Sequence, residues 1–259
     1  MKVNRTRRLL GEGKATAGSW MMLCSSTAAD LMGLAGFDWL VIDMEHGTGD
    51  YQTLLGQVQA INSVGETTPI VRVQANDPNI VKRVLEAGAE GIMVPGIRTV
   101  EEARLAIAST RYPPEGIRSV SFPRASRYGL DPDYLREAND NVALFLQFET
   151  RDAVENAEAI LELPGIDVAF VGPNDLAADL GHTGQLDHPE VRAAIGRVEE
   201  AANRRGVALG SVSRHWEDAE ALLAKGYRAV ALMSDVAFLL GSARAGAERM
   251  RAHPLFGDR

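Results

Sequence analysis

The chain has 259 residues, of which 46% are hydrophobic and 24% are charged. These proportions are typical of a soluble globular protein and exclude disorder along the whole chain. The 35 acidic residues outnumber the 27 basic ones, and the formal net charge is -8 at pH 7. Because an acidic surface repels phosphate groups, nucleic acids and anionic membranes are excluded as expected partners. A single cysteine, Cys24, and an N-terminus without a secretory signal predict a cytoplasmic protein.

Short apolar runs alternate with longer helical patterns along the chain. The runs are nearly continuous, as in WLVID and VAFVG, which is typical of strands buried on both faces of a parallel sheet. The predicted strands are Thr16–Leu23, Trp39–Asp43, Pro69–Val73, Gly91–Pro95, Val142–Glu149, Asp167–Gly172, Val207–Ser211 and Arg228–Met233. The predicted helices include Asn79–Ala87, Val100–Ala108, Ala153–Leu161, Pro189–Arg204 and Trp216–Lys225.

Eight strands alternating with helices over about 250 residues predict a (β/α)₈ TIM barrel. An open doubly wound sheet is the alternative, but no GxGxxG pattern follows the first strand. We find no linker or tandem repeat, so a single domain is expected over residues 1–259. The segment Arg111–Asn141 is an irregular insertion rich in Arg and Pro. Its arginines, in an acidic chain, favour a functional role over disorder.

Polar residues that end the apolar runs are the candidates for chemistry, because a parallel barrel has its active site at the carboxyl ends of its strands. They are Asp43, Glu45 and His46 after the second strand, Arg72 in the third, Gln147 and Glu149 in the fifth, and Asn174 and Asp175 after the sixth.

Glu149 and Asp175 follow neighbouring strands and have no clustered Cys or His beside them. Two carboxylates of this kind suit a hard cation such as Mg²⁺ or Mn²⁺. The alternative is that Asp175 caps a helix starting at Leu176 and Glu149 caps the helix after Thr150.

His46 follows two acidic residues, so it is either a base held in one tautomer by Asp43 or Glu45 or a hydrogen-bonded loop histidine. The other four histidines are expected to be structural or exposed. Arg72 lies within an apolar strand and must face a protein carboxylate or an anionic ligand, since an unpaired buried guanidinium is costly. Trp20 either lines a pocket or belongs to the core.

Several blocks together resemble the HpcH/HpaI aldolase family. They are FDWLVIDMEHG, PIVRVQANDPNIVKRVLEAGAEGIMVP, STRYPPEGIRSVSFPRASRYG, LQFET and VGPNDLAADLGHTGQLDHPEV. The resemblance extends from Gly18 to about Arg249, and the blocks occur in the family's order. It implies a class II pyruvate aldolase, a lyase that reversibly cleaves a 4-hydroxy-2-oxoacid to pyruvate, or a substituted pyruvate, and an aldehyde. It also implies a (β/α)₈ barrel that assembles as a hexamer, with C-terminal helices exchanged between subunits.

The resemblance also implies roles for individual residues. Glu149 and Asp175 would bind the divalent ion, which would be Mg²⁺, Mn²⁺ or Co²⁺. Arg72 would hold the pyruvate oxygens, and His46 would transfer a proton with Asp43. The other implied substrate-binding residues are Trp20, Gln147, Gly172, Pro173, Asn174 and Val212, with the backbone N–H groups of Asn174 and Asp175 receiving the pyruvate carboxylate.

The chain departs from the family pattern at a few positions. The loop Gly47–Asp50 replaces a proline-containing one, Glu86 stands where a cross-subunit aspartate is common, and Val212 stands where leucine is common. The smaller Val212 predicts that a wider range of 2-oxoacids is accepted as the aldol donor.

Two other functions are possible. An acyl-CoA lyase of the malyl or citramalyl type would need a cationic groove for the CoA phosphates. A non-catalytic sugar-acid-binding barrel predicts that some of the metal ligands and catalytic residues are missing.

Overall fold

Eight parallel strands close into a barrel in the computed structural model, which describes residues 3–256. Each strand pairs with the next one along the chain, and the last pairs with the first. The predicted (β/α)₈ fold is therefore confirmed. The strands β1 to β8 are Thr16–Met21, Trp39–Asp43, Thr68–Arg72, Gly91–Val94, Ala143–Phe148, Val168–Val171, Ala208–Ser213 and Ala229–Ser234.

Helices surround the barrel and connect successive strands. The helices α1 to α12 are Arg5–Gly11, Ser26–Leu34, Tyr51–Val64, Pro78–Glu86, Val100–Ser109, Tyr134–Asn141, Arg151–Glu155, Ala157–Leu161, Pro173–Asp179, Pro189–Arg205, Trp216–Ala224 and Asp235–Arg251. Short 3₁₀ helices span Arg124–Gly129 and Pro254–Phe256.

The helix predicted over Ala153–Leu161 is wrong as one continuous element. It is divided into α7 and α8 at Asn156, whose backbone leaves the helical region at φ -92° and ψ 2°. The Asn156 side chain donates a hydrogen bond to the carbonyl oxygen of Arg98 at 2.9 Å. This bond reaches a residue 58 positions away, so tertiary structure rather than the local sequence holds the break.

Inward-facing side chains fill the barrel and determine where the polar residues lie. Trp39 and Val41 of β2, Ile70 of β3 and Phe145 of β5 belong to one buried cluster inside the barrel. Because side chains on a strand alternate between two faces, the next inward positions are Asp43, Arg72, and the pair Gln147 and Glu149. The polar candidates thus continue the core series at the carboxyl ends of the strands.

The insertion Arg111–Asn141 is more ordered than the sequence predicts. It contains the 3₁₀ helix Arg124–Gly129 and helix α6, so the prediction that it is irregular is wrong for these residues. The side-chain amide of Asn139, on α6, accepts a hydrogen bond from the backbone N–H of Tyr112 at 2.7 Å and donates to its carbonyl oxygen at 3.1 Å. These two bonds tie the beginning of the insertion to its end.

The C-terminal helix α12 exposes an apolar surface. Only Asp235 is buried among its residues, while Leu239 and Leu240 are 63% and 55% exposed. Phe238 packs against Phe37, with ring centroids 6.2 Å apart. Within residues 3–256, no helix has both the length and the apolar character needed to cross a bilayer.

Candidate active site

A cavity of about 410 Å³ opens at the carboxyl ends of the strands. Asp43 and Glu149 lie directly beside it, bonded to Arg72 and Gln147, respectively. The remaining residues predicted for the site, Glu86 excepted, line the cavity: Trp20, His46, Arg72, Gln147, Gly172, Pro173, Asn174, Asp175 and Val212.

Arg72 is held rigidly by two carboxylates. Its Nε and Nη2 donate to the two carboxylate oxygens of Asp43, at 3.1 and 2.6 Å, and its Nη1 lies 2.9 Å from Oε2 of Glu45. The β2–β3 register places Asp43 directly opposite Arg72, so the pair follows from the strand alignment. The Arg72 guanidinium also lies over the Trp20 ring, 5.2 Å from its centroid. The arginine is thus oriented before any ligand binds.

The Asp43 carboxylate accepts hydrogen bonds from Arg72 and from the backbone. Its Oδ1 also accepts the N–H groups of Glu45 at 3.0 Å and His46 at 3.2 Å. Burial alone would raise the pKa of Asp43, but the Arg72 pair and these two donors outweigh burial and lower it. Burial raises the pKa of Glu45, and the Arg72 charge opposes that shift.

Among the residues that the structure describes, no hydrogen bond to the His46 ring is found that would select its tautomer. Asp43 contacts its backbone N–H rather than its ring, and Nε2 lies 3.8 Å from Oε2 of Glu45, beyond hydrogen-bond distance. The side chain is 60% exposed at the rim of the cavity. His46 is therefore positioned by its backbone, with a ring that is free to meet a ligand.

Glu149 is buried and oriented through both of its carboxylate oxygens. Oε1 accepts the backbone N–H of Gly96 at 2.7 Å, and Oε2 accepts Nε2 of Gln147 at 2.8 Å. Burial raises the pKa of Glu149 to about 7; the charges of Asp175 and Glu45 add to this shift, while the Gly96 donor opposes it. Several negative groups therefore crowd one end of the cavity.

The capping alternatives for the two metal candidates are wrong. Thr150 caps α7 by accepting the N–H of Ala153, so Glu149 does not serve as the cap. Helix α9 starts at Pro173 rather than Leu176, and Asp175 lies in its first turn, exposed to the cavity. Both carboxylates are therefore free of a capping role.

Gly172 and Gln147 complete the floor around Glu149. A Cβ on Gly172 would lie 2.8 Å from Oε2 of Glu149, so only glycine leaves this carboxylate in place. The Oε1 atom of Gln147 is buried without a hydrogen-bond partner among the described residues. An acceptor in this state is expected to meet a donor on a ligand or a bound water.

Sequence reasoning missed part of the cavity wall. Met22, Phe170, Ser213, Arg214, Met233, Ser234 and Ala237 line it as well. Arg214 is the first residue after β7. It is therefore a polar residue at a strand end, but the predicted seventh strand was too short to show this. Glu86, on α4, does not line this cavity, and its charge instead acts on Tyr112 of the insertion.

A second group of polar side chains, outside the cavity, has a structural explanation. Ligand atoms of His182, His188 and Glu190 all lie within 4.8 Å of one another. His188 is the N-cap of α10 and accepts the N–H of Glu190 on Nδ1, while Nε2 of His182 lies 2.9 Å from Oε2 of Glu190. These bonds secure the start of α10.

The closed parallel barrel carries an oriented arginine and buried carboxylates at the carboxyl ends of its strands, where (β/α)₈-barrel enzymes have their active sites. Comparison with known protein families leads to the same class: residues 16–241 match the family model described as HpcH/HpaI aldolase/citrate lyase. The chain belongs to this family.

Named relatives cover nearly the whole chain. It is 42% identical over 248 residues to a 4-hydroxy-2-oxo-heptane-1,7-dioate aldolase of Klebsiella pneumoniae, covering 95% of this chain and 93% of that one. It is 42% identical over 234 residues to a 5-keto-4-deoxy-D-glucarate aldolase of Enterobacter sp., covering 90% and 91%. A crystal structure of a family member from Burkholderia cenocepacia superposes with a TM-score of 0.94 at 38% identity, covering 96% of this chain and 100% of that one.

Proposed function

We propose that this protein is a divalent-metal-dependent aldolase that cleaves a 4-hydroxy-2-oxoacid to pyruvate, or a substituted pyruvate, and an aldehyde. The chain is a carbon–carbon lyase of the aldolase class, as its relatives are. The observation that carries the proposal is one cavity that combines Arg72 and Asp175 with Glu149, which is hydrogen-bonded to the lining residue Gln147. This arrangement offers a positive contact and anionic ligands to the same small molecule.

The residues present fit a hard divalent cation such as Mg²⁺, Mn²⁺ or Co²⁺. Glu149 and Asp175 supply carboxylate oxygens, which these ions prefer. Burial is the main cause of the raised pKa of Glu149, and the negative charges of Asp175 and Glu45 add to it; a cation would offset these charges. A bound divalent ion would act as a Lewis acid toward the keto and carboxylate oxygens of the substrate. Gln147, through its unpartnered Oε1, would accept a hydrogen bond from a water or hydroxyl group there.

Arg72 supplies the fixed positive charge that the chemistry requires. Cleavage between C3 and C4 leaves a pair of electrons on C3, which delocalises onto the keto oxygen. A guanidinium aimed at that oxygen stabilises the developing charge, and it needs no reorganisation because Asp43 and Glu45 already hold it. Asp43 therefore acts as a positioning residue for Arg72.

His46 is the proposed group for proton transfer at the other end of the breaking bond. The 4-hydroxyl of the substrate must lose its proton as the aldehyde forms. The exposed His46 ring lines the cavity and is the only histidine among the described residues that does so. It would take this proton directly or through one water.

The remaining contacts would orient the keto acid. Backbone N–H groups of Asn174 and Asp175, in the first turn of α9 after Gly172 and Pro173, would receive the substrate carboxylate. Trp20 and Val212 would pack against its apolar atoms.

The two other functions make different demands on the site. An acyl-CoA lyase needs a cationic groove for the CoA phosphates, yet Arg72 and Arg214 are the only arginine or lysine side chains among the described residues that line the cavity. A non-catalytic barrel predicts a broken ligand set, whereas Glu149, Asp175, Arg72 and His46 are all present. Both observations favour the aldolase.

The assembly is part of the proposal. The exposed apolar face of α12 would be covered by another copy of the chain, in a hexamer whose subunits exchange this helix. Glu86 would then contribute across a subunit boundary. A cytoplasmic location remains a prediction from the cysteine content.

A substrate panel separates these functions. Pyruvate release would be measured from 4-hydroxy-2-oxoacids and malyl-CoA cleavage would be measured in parallel, each with Mg²⁺, Mn²⁺ and Co²⁺. The aldolase predicts metal-stimulated pyruvate release and no cleavage of the thioester. Faster cleavage of malyl-CoA would support the acyl-CoA lyase, and turnover of neither substrate class would support the non-catalytic barrel.

A further inference from the structure

We infer that Asp235 is a positioning residue for the loop that carries His46, and that it controls proton transfer without contacting the substrate. This inference rests on the proposed aldolase function, since His46 is the group assigned there to the proton of the 4-hydroxyl. Asp235 is the first residue of α12 and is buried, at 4% exposure. It does not line the cavity, so any effect on the reaction passes through other residues.

The Asp235 carboxylate joins the start of α12 to the chain that follows β1. Its Oδ1 accepts the backbone N–H of Met22 at 2.9 Å, and its Oδ2 accepts that of Leu23 at 3.1 Å. Oδ1 also accepts the N–H of Val236 at 2.8 Å. These charge-assisted hydrogen bonds offset the cost of burying the carboxylate. Each oxygen therefore holds one residue of the β1–α2 loop.

The pairing of β1 with β8 is irregular just before this connection. The register shifts by one residue between Gly18 and Trp20, which is a β-bulge. Both strands end soon after the shift, at Met21 and Ser234. Beyond these residues the ladder no longer joins the two segments, and the Asp235 carboxylate makes the connection instead.

Cys24 follows the two anchored residues in an uncommon backbone conformation. Its φ is +51°, in the left-handed region that residues other than glycine rarely adopt. Such a conformation is strained and persists only where its surroundings impose it. The bonds from Asp235 to Met22 and Leu23 fix the chain immediately before this turn. They therefore determine where the Cys24 side chain lies.

The Cys24 side chain packs against the loop that carries His46. A Cβ on Gly49 would lie 3.0 Å from Sγ of Cys24 and 3.3 Å from its Cβ, and a Cβ on Gly47 would lie 3.4 Å from Sγ. The Oγ1 atom of Thr48 lies 4.0 Å from the same sulfur. The loop thus rests on the cysteine with almost no space between them.

Few other contacts hold this loop. The backbone N–H of His46 donates to Oδ1 of Asp43 at 3.2 Å, and Asp50 caps the start of α3. Between these two anchors, the weak contact of Thr48 with Cys24 is the only hydrogen bond of residues 47–49 found in the described part of the chain. Since no hydrogen bond fixes the His46 ring either, its position depends on how this loop packs.

The arrangement predicts an effect confined to proton transfer. A general base must lie within hydrogen-bond reach of the proton it takes, and a displacement of about 1 Å can lower the rate roughly a hundredfold. Arg72 is held by Asp43 and Glu45, and Glu149 is held from other strands. Binding of the keto acid therefore does not depend on Asp235.

The test is a double-mutant cycle of Asp235→Asn with His46→Ala, measured as pyruvate release from a 4-hydroxy-2-oxoacid with Mn²⁺. Asparagine keeps the shape of the side chain but turns its amide NH₂ toward one of the two backbone donors. We expect kcat to fall about tenfold to a hundredfold, with KM changed by less than about twofold. In the His46→Ala background, Asp235→Asn should have no further effect on kcat.

Cys24→Ala tests the next contact without disturbing the buried carboxylate. Loss of Sγ removes the packing against Gly49, so kcat should fall here too, and only while His46 is present. Asp167→Asn is the matched control. Asp167 also accepts a backbone N–H, that of Leu144 at 2.9 Å, but at the amino ends of the strands. This control should lower stability and leave kcat unchanged.

Equal losses of kcat with and without the His46 ring would overturn the inference, because Asp235 would then act on the fold as a whole. An unchanged kcat in Asp235→Asn would overturn it as well, and if that variant does not fold, an unchanged kcat in Cys24→Ala would do so. A wild type that releases no pyruvate would instead contradict the proposed aldolase function, so the two failures are distinguishable.

Discussion

At the scale of single residues, the site is the polar end of the series that fills the barrel. Asp43, Arg72 and Glu149 follow apolar inward-facing residues on their strands, and this is why a search for polar residues at strand ends found them. The contacts between these side chains were harder to predict, because they depend on strand register. Arg72 contacts Asp43 and Glu45, whereas the His46 ring is within hydrogen-bond distance of neither carboxylate.

Arg214 shows where the search for strand ends failed. The predicted seventh strand stops at Ser211, whereas β7 continues to Ser213. Both serines are buried and donate to backbone carbonyl oxygens of neighbouring strands, Ser211 to Val171 at 3.0 Å and Ser213 to Ala231 at 3.0 Å. Because their hydroxyls are hydrogen-bonded, these serines can be buried in the strand. In the sequence alone, the change from apolar residues to serine looks like the end of the strand.

His46→Ala tests the proposed proton transfer. We expect kcat for aldol cleavage to fall by about 10²–10⁴-fold, the usual contribution of a general base. Metal and pyruvate binding should persist, since Arg72 and Glu149 do not depend on the His46 ring. Steady-state kinetics and calorimetric titration with pyruvate would measure both. An unchanged kcat would assign the proton transfer to another group, with a bound water as the next candidate.

Val212→Leu tests donor size. The valine side chain is one methylene smaller than leucine and lines the cavity. Under the proposed function, it would leave room for a substituent on C3 of the donor. Adding the methylene should lower relative kcat/KM for hydroxypyruvate against pyruvate by about fivefold to a few hundredfold. The comparison needs kcat/KM for both donors in both proteins. An unchanged ratio would mean that neighbouring side chains close the gap and that Val212 does not set donor size.

At the scale of elements, the sequence predicts strands better than the insertion. The strands are continuous apolar runs buried on both faces, and their predicted limits lie within two residues of those observed. Helix α6 was missed because it is a mostly polar helix inside a polar segment and buries only Tyr134 and Ala138. Its contacts with the start of the insertion are tertiary and have no local signal.

Gly172→Ala tests how the β6–α9 connection shapes the metal site. The added methyl would lie 2.8 Å from Oε2 of Glu149 and must displace this carboxylate. We expect weaker affinity for Mn²⁺, by about tenfold to a hundredfold, as is typical when the surroundings of a ligand are disturbed. Titration calorimetry with Mn²⁺ would measure it.

Gly196→Ala is the control for this substitution. Gly196 lies within α10, and a Cβ there would meet nothing within 4 Å. Replacing a helical glycine should leave Mn²⁺ affinity unchanged and raise stability by roughly 0.5–1 kcal/mol. Equal Mn²⁺ affinity in both variants would show that Glu149 relaxes without loss, and the proposed role of Gly172 would be wrong.

At the scale of the whole molecule, the closed barrel explains how most of the chain is packed. The apolar surface of α12 is the exception, because it stays exposed in one copy of the described chain. That residues 1–259 form a single domain remains a prediction. The family resemblance implies that C-terminal helices are exchanged between subunits, and the exposed leucines of α12 are the part of one chain that such an exchange would cover.

The double substitution Leu239→Asp and Leu240→Asp tests the assembly. Each leucine is more than half exposed in one chain, and burying the exposed part against a partner would contribute roughly 1–2 kcal/mol, a little over half the value for a fully exposed side chain. We expect the wild type to be a hexamer by light scattering and the variant to be smaller at micromolar concentration. Deleting residues from Ala237 onward should likewise give smaller or insoluble species. A monomeric, fully active wild type would refute the exchanged assembly.

The most direct test of the central claim is the metal dependence of pyruvate release. Wild-type protein treated with a chelator should lose cleavage of a 4-hydroxy-2-oxoacid and regain it on addition of Mg²⁺ or Mn²⁺. Glu149→Ala and Asp175→Ala should stay inactive under both conditions while remaining folded by circular dichroism, since the proposed function assigns both carboxylates to the ion. Full activity after exhaustive chelation, or in either variant, would contradict the account.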